Sequence, residues 1–233
     1  MSVVDRVNKA WDRIDAWYAK NTPDWTLPKG ATDEEIDALA KHLNVVFPEE
    51  FRVSLKRHNG IKEGQWPMTC LHSIKQIQSS WDSWKEQDQE GELEHEDVET
   101  DGTFQQKFWC ESWIEIDSDK MAAGGVVMDL APGPKGHVGQ ILFFDHVEGP
   151  SGPAYSDYAA YLEDMANKLE KGECEVTDDC LAWLGGSAKG EGDKDEDEDE
   201  DEDEEGEEYE DEIEEDEDDE EEKTNKSKKK VKK

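Results

Sequence analysis

The sequence has no run of about 18 consecutive apolar residues, the length that a membrane-crossing helix needs, so no membrane span is expected. Positive charge is scarce: 26 Lys and Arg stand against 63 Asp and Glu, a formal net charge of −37. Such a chain is a poor ligand for bare nucleic acid, where binding rests on Lys and Arg releasing counterions. Basic proteins are the partners its field favours. Cysteine is also sparse, and Cys70, Cys110, Cys174 and Cys180 form no C-x-x-C pair. The amino end, MSVVDRVNKAWDR, lacks the long apolar core of a secretory signal, so reduced thiols and a cytoplasmic or nuclear location are expected. There is no G-x-G-x-x-G and no Walker Lys-Ser/Thr, hence no phosphate cradle. A metal site could be imagined from His137, His146, Asp129 and Asp145, or from Cys174 and Cys180, but neither set has tight ligand spacing. No local motif marks Cys70 or Cys110 as an activated nucleophile. The expectation is a non-catalytic chain without cofactor or metal.

What the chain does have is unevenly placed. Residues 191–222 hold 27 acids in 32 positions, while residues 1–190 carry 36 acids, 18 bases and all nine Trp. A body of this size suits one domain with a real core. The expected division is a domain over 1–186 with an acidic, mobile loop near 87–103, a disordered Asp/Glu-rich tail over 187–222, and a Lys-rich end over 223–233.

Val4, Val7, Trp11, Ile14 and Tyr18 recur at spacings of three and four, an amphipathic helix behind a Ser2 cap. Thr32-Asp33-Glu34-Glu35 and Ser73-Ile74-Lys75-Gln76 read as capping boxes for two more helices. Another helix opens at Pro48 and stops at Asn59-Gly60. A last long helix is expected behind Ser156, with Tyr158, Tyr161, Leu162, Met165 and Leu169 inward, and a short helical turn over 178–184. Residues 104–116 suggest one or two strands. Helices, then strands, then a helix make the class α+β.

Residues 113–145 organise the rest. Two apolar runs, 126–130 and 140–144, flank a loop dense in Pro and Gly, a strand hairpin covered on both faces. Ala131-Pro132-Gly133-Pro134 reads as a type II turn with positive φ at Gly133. One reading makes this loop a rigid edge that a partner recognises, through Trp113, Asp117, Asp129, Pro132, Gly133, Gly136, Gly139 and Gln140. The plainer one is that the glycines serve backbone geometry and Asp129 and Gln140 serve hydrogen bonds within the loop.

Six blocks then resemble one known family in the same order: WDRI (11–14), LNVVFPEEFRVSLKRHNG (43–60), LHSIKQIQSSW (71–81), Trp113-Ile114, MDLAPGPKGHVGQI (128–141) and YSDYAAYLEDMANKLEKG (155–172). Together they are similar to the Smi/Knr family of the SUKH superfamily, which holds fungal cell-wall assembly regulators and bacterial toxin-immunity proteins. The resemblance implies a mostly antiparallel central sheet with flanking helices. It also implies a non-enzymatic role in binding other proteins.

The tail adds its own possibilities. Asp193, Asp195, Asp197, Asp199, Asp201 and Glu204 fall at calcium-loop positions, but Glu198 stands where Gly is needed. Lys226, Lys228, Lys229, Lys230, Lys232 and Lys233 have the density of a nuclear-import signal. The expected function is therefore a regulatory protein-binding module whose acidic tail tunes contacts with basic partners. The alternatives are a histone or basic-protein chaperone, a toxin-neutralising immunity-type protein, or an enzyme with an enclosed pocket.

Overall fold

A computed structural model of the chain describes residues 1–67, 69–91, 93, 98–118, 124–177 and 180–184. The acidic run, its near-calcium-loop spacing and the Lys-rich end lie outside the described residues.

Helix boundaries follow the local hydrogen-bonding chemistry. α1 (Val3–Asn21), α2 (Asp33–Leu43) and α4 (Ile74–Glu90) each begin with a reciprocal capping box, Ser2/Asp5, Thr32/Glu35 and Ser73/Gln76. These boxes satisfy amide donors that have no partner in a helix's first turn. α3 (Glu49–Arg57) has Pro48 just outside it as N-cap, and its own end falls at His58. α4 continues to Glu90 and closes on Gly91 at φ +77°, so the stretch expected to be a loop begins as helix. α5 (Tyr158–Glu170) is capped by Asp157 rather than Ser156. The Asp157 carboxylate accepts from the Ala160 amide through Oδ1 at 2.7 Å and holds Arg6 of α1 through Oδ2 at 2.8 Å, a charge-assisted bond that a neutral serine hydroxyl would not give.

The sheet is antiparallel throughout, in the order β1 (Cys70–Leu71), β2 (Trp113–Ser118), β3 (Gly124–Asp129), β4 (Gln140–Asp145) and β5 (Gly149–Tyr155). The hairpin of β3 and β4 pairs without a break from Gly124–Asp145 to Asp129–Gln140. Residues 104–110 are irregular, and the expected strand there starts only at Trp113. Of the helical turn expected over 178–184, residues 178 and 179 lie outside the described residues and Leu181–Trp183 is instead β7, paired with β6 (Cys174–Val176). Leu181 donates its amide to the Gly64 carbonyl at 2.7 Å, a tertiary bond that no local pattern announces.

Layers of helix cover both faces. On one side α1, α3 and α5 share a buried chain of bonds, Trp11 Nε1 to Ser54 Oγ at 2.8 Å and Ser54 Oγ to the Tyr158 hydroxyl at 2.9 Å. Asp117 of β2 meets Tyr161 of α5 on this side. On the other, Trp84 of α4 stands edge-on to Phe144 of β4 at 5.1 Å. Phe143 of β4 is left 52 % exposed beside Tyr155. The class is α+β, as the element order implied.

Candidate functional site

The β3–β4 loop, residues 130–139, is built on two side chains that face each other across the ladder. Asp129 and Gln140 are register partners and both are fully buried. Gln140 Nε2 donates to Asp129 Oδ2 at 2.9 Å and to the Thr103 carbonyl at 2.8 Å, and its Oε1 accepts the His137 amide at 3.2 Å. Asp129 Oδ1 takes the Ala131 amide at 2.9 Å, and the Asp129 carbonyl takes the Gly139 amide at 2.8 Å. Burial pushes the Asp129 carboxyl above its usual range, against the pull of the bonds from Gln140 and Ala131. Asp129 and Gln140 therefore hold the loop from beneath. Trp113 lies opposite Asp129 on β2, 1 % exposed, with Phe104 edge-on at 6.3 Å.

The loop is closed by residues 102–105, where the expected acidic loop gives way to the expected strand region. Gly133 donates to the Thr103 carbonyl at 3.1 Å, Lys135 to the Gly102 carbonyl at 2.9 Å, and Gln105 Nε2 to the Ala131 carbonyl at 2.7 Å. Asp101-Gly102 carries a turn signature that could have pointed there. This approach explains the glycines. A Cβ on Gly133 would lie 2.4 Å from the Gly102 carbonyl oxygen, and one on Gly136 would lie 1.9 Å from that of Thr103. Gly133 does not take positive φ, so the type II turn is not formed there; among the loop glycines it is Gly139, at φ +89°, that uses the left-handed region. Pro132 sits half-buried against Gly136.

Asp117 does not join this cluster. It lies at the far end of β2, 2 % exposed, bonded to Trp66 Nε1 at 3.2 Å and to the Tyr161 hydroxyl. Burial raises its carboxyl to about 6. The expected exposed contacts Trp113, Asp117, Asp129 and Gln140 are thus core residues, because each has its polar partners inside the fold or an apolar wall around it.

What the loop presents outward is Pro134, Lys135, His137 and Val138. The His137 ring is tied to the Ser156 carbonyl, which braces the tip against the start of α5. Beside the tip runs an open groove of about 520 Å³ between the loop and the α2–α3 connection, lined by Val45, Phe47, Pro48, Leu130 and Val138. Val46 at 88 % and Val138 at 64 % exposure stand on its edges.

Among the described residues, no group of three or more His, Cys, Asp or Glu comes together as a metal-holding set. Burial pushes the Cys110 thiol up to about 11 and raises Cys70 as well, away from thiolate chemistry. No described helix is long and apolar enough to cross a membrane.

Comparison with known proteins bears on the same region. The family model described as SMI1 / KNR4 family (SUKH-1) matches residues 30–168, a span that includes the loop and its frame. The chain is 24 % identical to a glucan synthesis regulatory protein of Neurospora crassa over 74 % of its own length and 40 % of the relative's. It is 26 % identical to a cell wall biosynthesis/cell cycle regulator of Schizosaccharomyces pombe, covering 74 % of this chain and 38 % of that one. With the cell wall assembly regulator of Saccharomyces cerevisiae it shares 24 % identity over 73 % of this chain and 42 % of the relative. The chain therefore spans less than half the length of each of these relatives.

Proposed function

The chain belongs to the SMI1 / KNR4 family (SUKH-1), and from that premise we propose that it is a regulatory module that works by binding another protein rather than by catalysis. The relatives' names describe regulators of cell-wall and glucan synthesis, which supports the regulatory reading. The observation that carries the binding surface is the division of labour at the β3–β4 loop. Its buried polar groups are spent on holding the loop, and the groove beside the tip, where Asn44 and Ser112 join the apolar side chains, is left open with Val46 and Val138 on its rim. A preorganised groove loses little entropy when a partner docks. The acidic run over 191–222 adds a long-range attraction for basic partners and modulates the contact.

Affinity purification of the intact chain against a Val46→Asp/Val138→Asp variant tests this reading. Partners recovered with the first and lost with the second support it; identical recoveries overturn it. A second reading, a chaperone for histones or other basic proteins, is favoured by the 27 acids of residues 191–222. It predicts that purified histones bind the full chain and lose affinity when that run is removed.

A further inference from the structure

A second cleft, about 680 Å³, opens between α4 and the edge of the sheet near β1 and β2. Its floor is a carboxylate. Glu115 of β2 is 7 % exposed, and its Oε2 accepts from the Ser80 hydroxyl of α4. Its Oε1 faces His146 Nε2 at 3.7 Å, too far for a hydrogen bond. That imidazole nitrogen is buried and has no hydrogen-bond partner among the described residues. His72 closes the far side, with Nε2 at 2.8 Å from Ser118 Oγ and Nδ1 at 3.2 Å from the Glu115 carbonyl. Trp84 and Phe108 supply an apolar wall, Trp84 edge-on to His146 at 4.9 Å. The mouth is a polar stripe on α4: Gln76, Ser79, Ser83 and Gln87, one helical turn apart.

The floor is a charged group with one oxygen still unbonded among the described residues. Burial pushes Glu115 up, but the contacts with His146 and Ser80 outweigh it and hold the carboxyl below its usual range, so it is ionised at neutral pH. Burial lowers His72, which is neutral there and brings no balancing charge. Among the described residues no Lys or Arg pairs with Glu115. Its Oε1 accepts no hydrogen bond among the described residues, so the base of the cleft keeps a charged acceptor open to a cationic donor.

We propose that this cleft receives an arginine side chain of a partner protein, with the guanidinium set against Glu115 Oε1 and the partner's backbone lying along the Ser and Gln stripe of α4. The chemistry selects arginine over lysine. A planar guanidinium offers several donors in fixed directions, enough for a carboxylate oxygen, an imidazole nitrogen and nearby hydroxyls, and its flat faces suit the Trp84 and Phe108 wall. The body's 36 acids against 18 bases draw such a partner in. This inference rests on the protein-binding reading but uses a different surface from the loop groove.

The test is residue-resolved NMR of the full chain titrated with acetyl-Gly-Ser-Arg-Ser-Gly-amide, beside the isosteric citrulline peptide. About 0.15 M salt screens exposed charges beyond about 8 Å. Saturable shifts of the Trp84 indole N–H and of His146 are expected, with the citrulline peptide roughly ten-fold or more weaker, the loss of a charge-assisted bond. Glu115→Gln is expected to weaken binding as much. Ser83→Arg, at an exposed position of α4, should block the cleft with a tethered guanidinium and leave the fold intact. Shifts confined to residues 191–222, equal binding of citrulline, or a response unchanged in Ser83→Arg would overturn the proposal. A neutral disaccharide giving the same shifts would do so too. Failure here leaves the groove test with Val46 and Val138 untouched, so the two readings fail separately.

Discussion

Gln140 reaches across the β3–β4 ladder to Asp129 at 2.9 Å and, with the other hydrogen of the same amide, to the Thr103 carbonyl at 2.8 Å. One side chain thus joins the hairpin to the segment that closes over it. Gln140→Ala strands a buried carboxylate oxygen and a carbonyl, and it should cost about 1–3 kcal/mol. Urea denaturation measures the loss, and hydrogen exchange should show the amides of Gly133 and Lys135, which bond to residues 102 and 103, losing protection first.

Gly136 and Gly91 separate two reasons for glycine. An added Cβ at Gly136 meets the Thr103 backbone, whereas at Gly91 it meets nothing within 4 Å and only φ +77° opposes it. Gly91→Ala is therefore expected to cost about 1 kcal/mol. Gly136→Ala must move backbone and should cost about 1–3 kcal/mol, with shifts at residues 102–104 in NMR spectra.

Asp117 makes stability depend on pH in an unusual direction. Its folded carboxyl, raised by burial to about 6 from 3.8, binds its proton more tightly than the unfolded chain does. Its contribution is full below about pH 4 and is lost as pH climbs through about 6, in total roughly 3 kcal/mol. Most other shifted carboxylates run the opposite way, so the readout is a difference. The stability of Asp117→Asn relative to the parent should rise between pH 4 and 6, and a flat difference would show that the residue does not titrate in this window.

Ser54 is a single hydroxyl between two buried aromatic side chains, accepting from Trp11 Nε1 at 2.8 Å and sharing a hydrogen bond with the Tyr158 hydroxyl at 2.9 Å. Ser54→Ala should cost about 1–3 kcal/mol although it removes only one atom. Trp11→Ala should cost about 3–5 kcal/mol. Calorimetry or guanidinium denaturation distinguishes the two.

Local chemistry explains what was legible. The capping boxes at Ser2, Thr32 and Ser73 act over three residues, and the Val7, Trp11, Ile14 face over a few turns, so both are written in the sequence. The hairpin was readable for the same reason. What could not be read depends on distant partners. Gly133 and Gly136 are glycine because of Gly102 and Thr103, some thirty residues earlier. Leu181 is in a strand while its amide is fixed by Gly64. For Asp129 and Gln140 the sequence allows both a partner contact and hydrogen bonds within the loop, and the register that places them opposite each other selects the second. The cleft around Glu115 was invisible, since β2, α4 and His146 meet only in three dimensions.

The bidentate pair of Arg6 with Glu163, and Arg13 with Glu170, fasten α1 to α5 across 157 residues of chain. Synthesis at about 5–20 residues per second spans that separation in roughly 10–30 s. Throughout that interval Val7, Trp11 and Ile14 have no α5 to pack against. Nascent chains of this protein accordingly present a helix whose cover, begun by α3, stays incomplete until α5 is made, and fragments that stop short of Tyr158 should be chaperone clients, while released chains that include Glu170 should not.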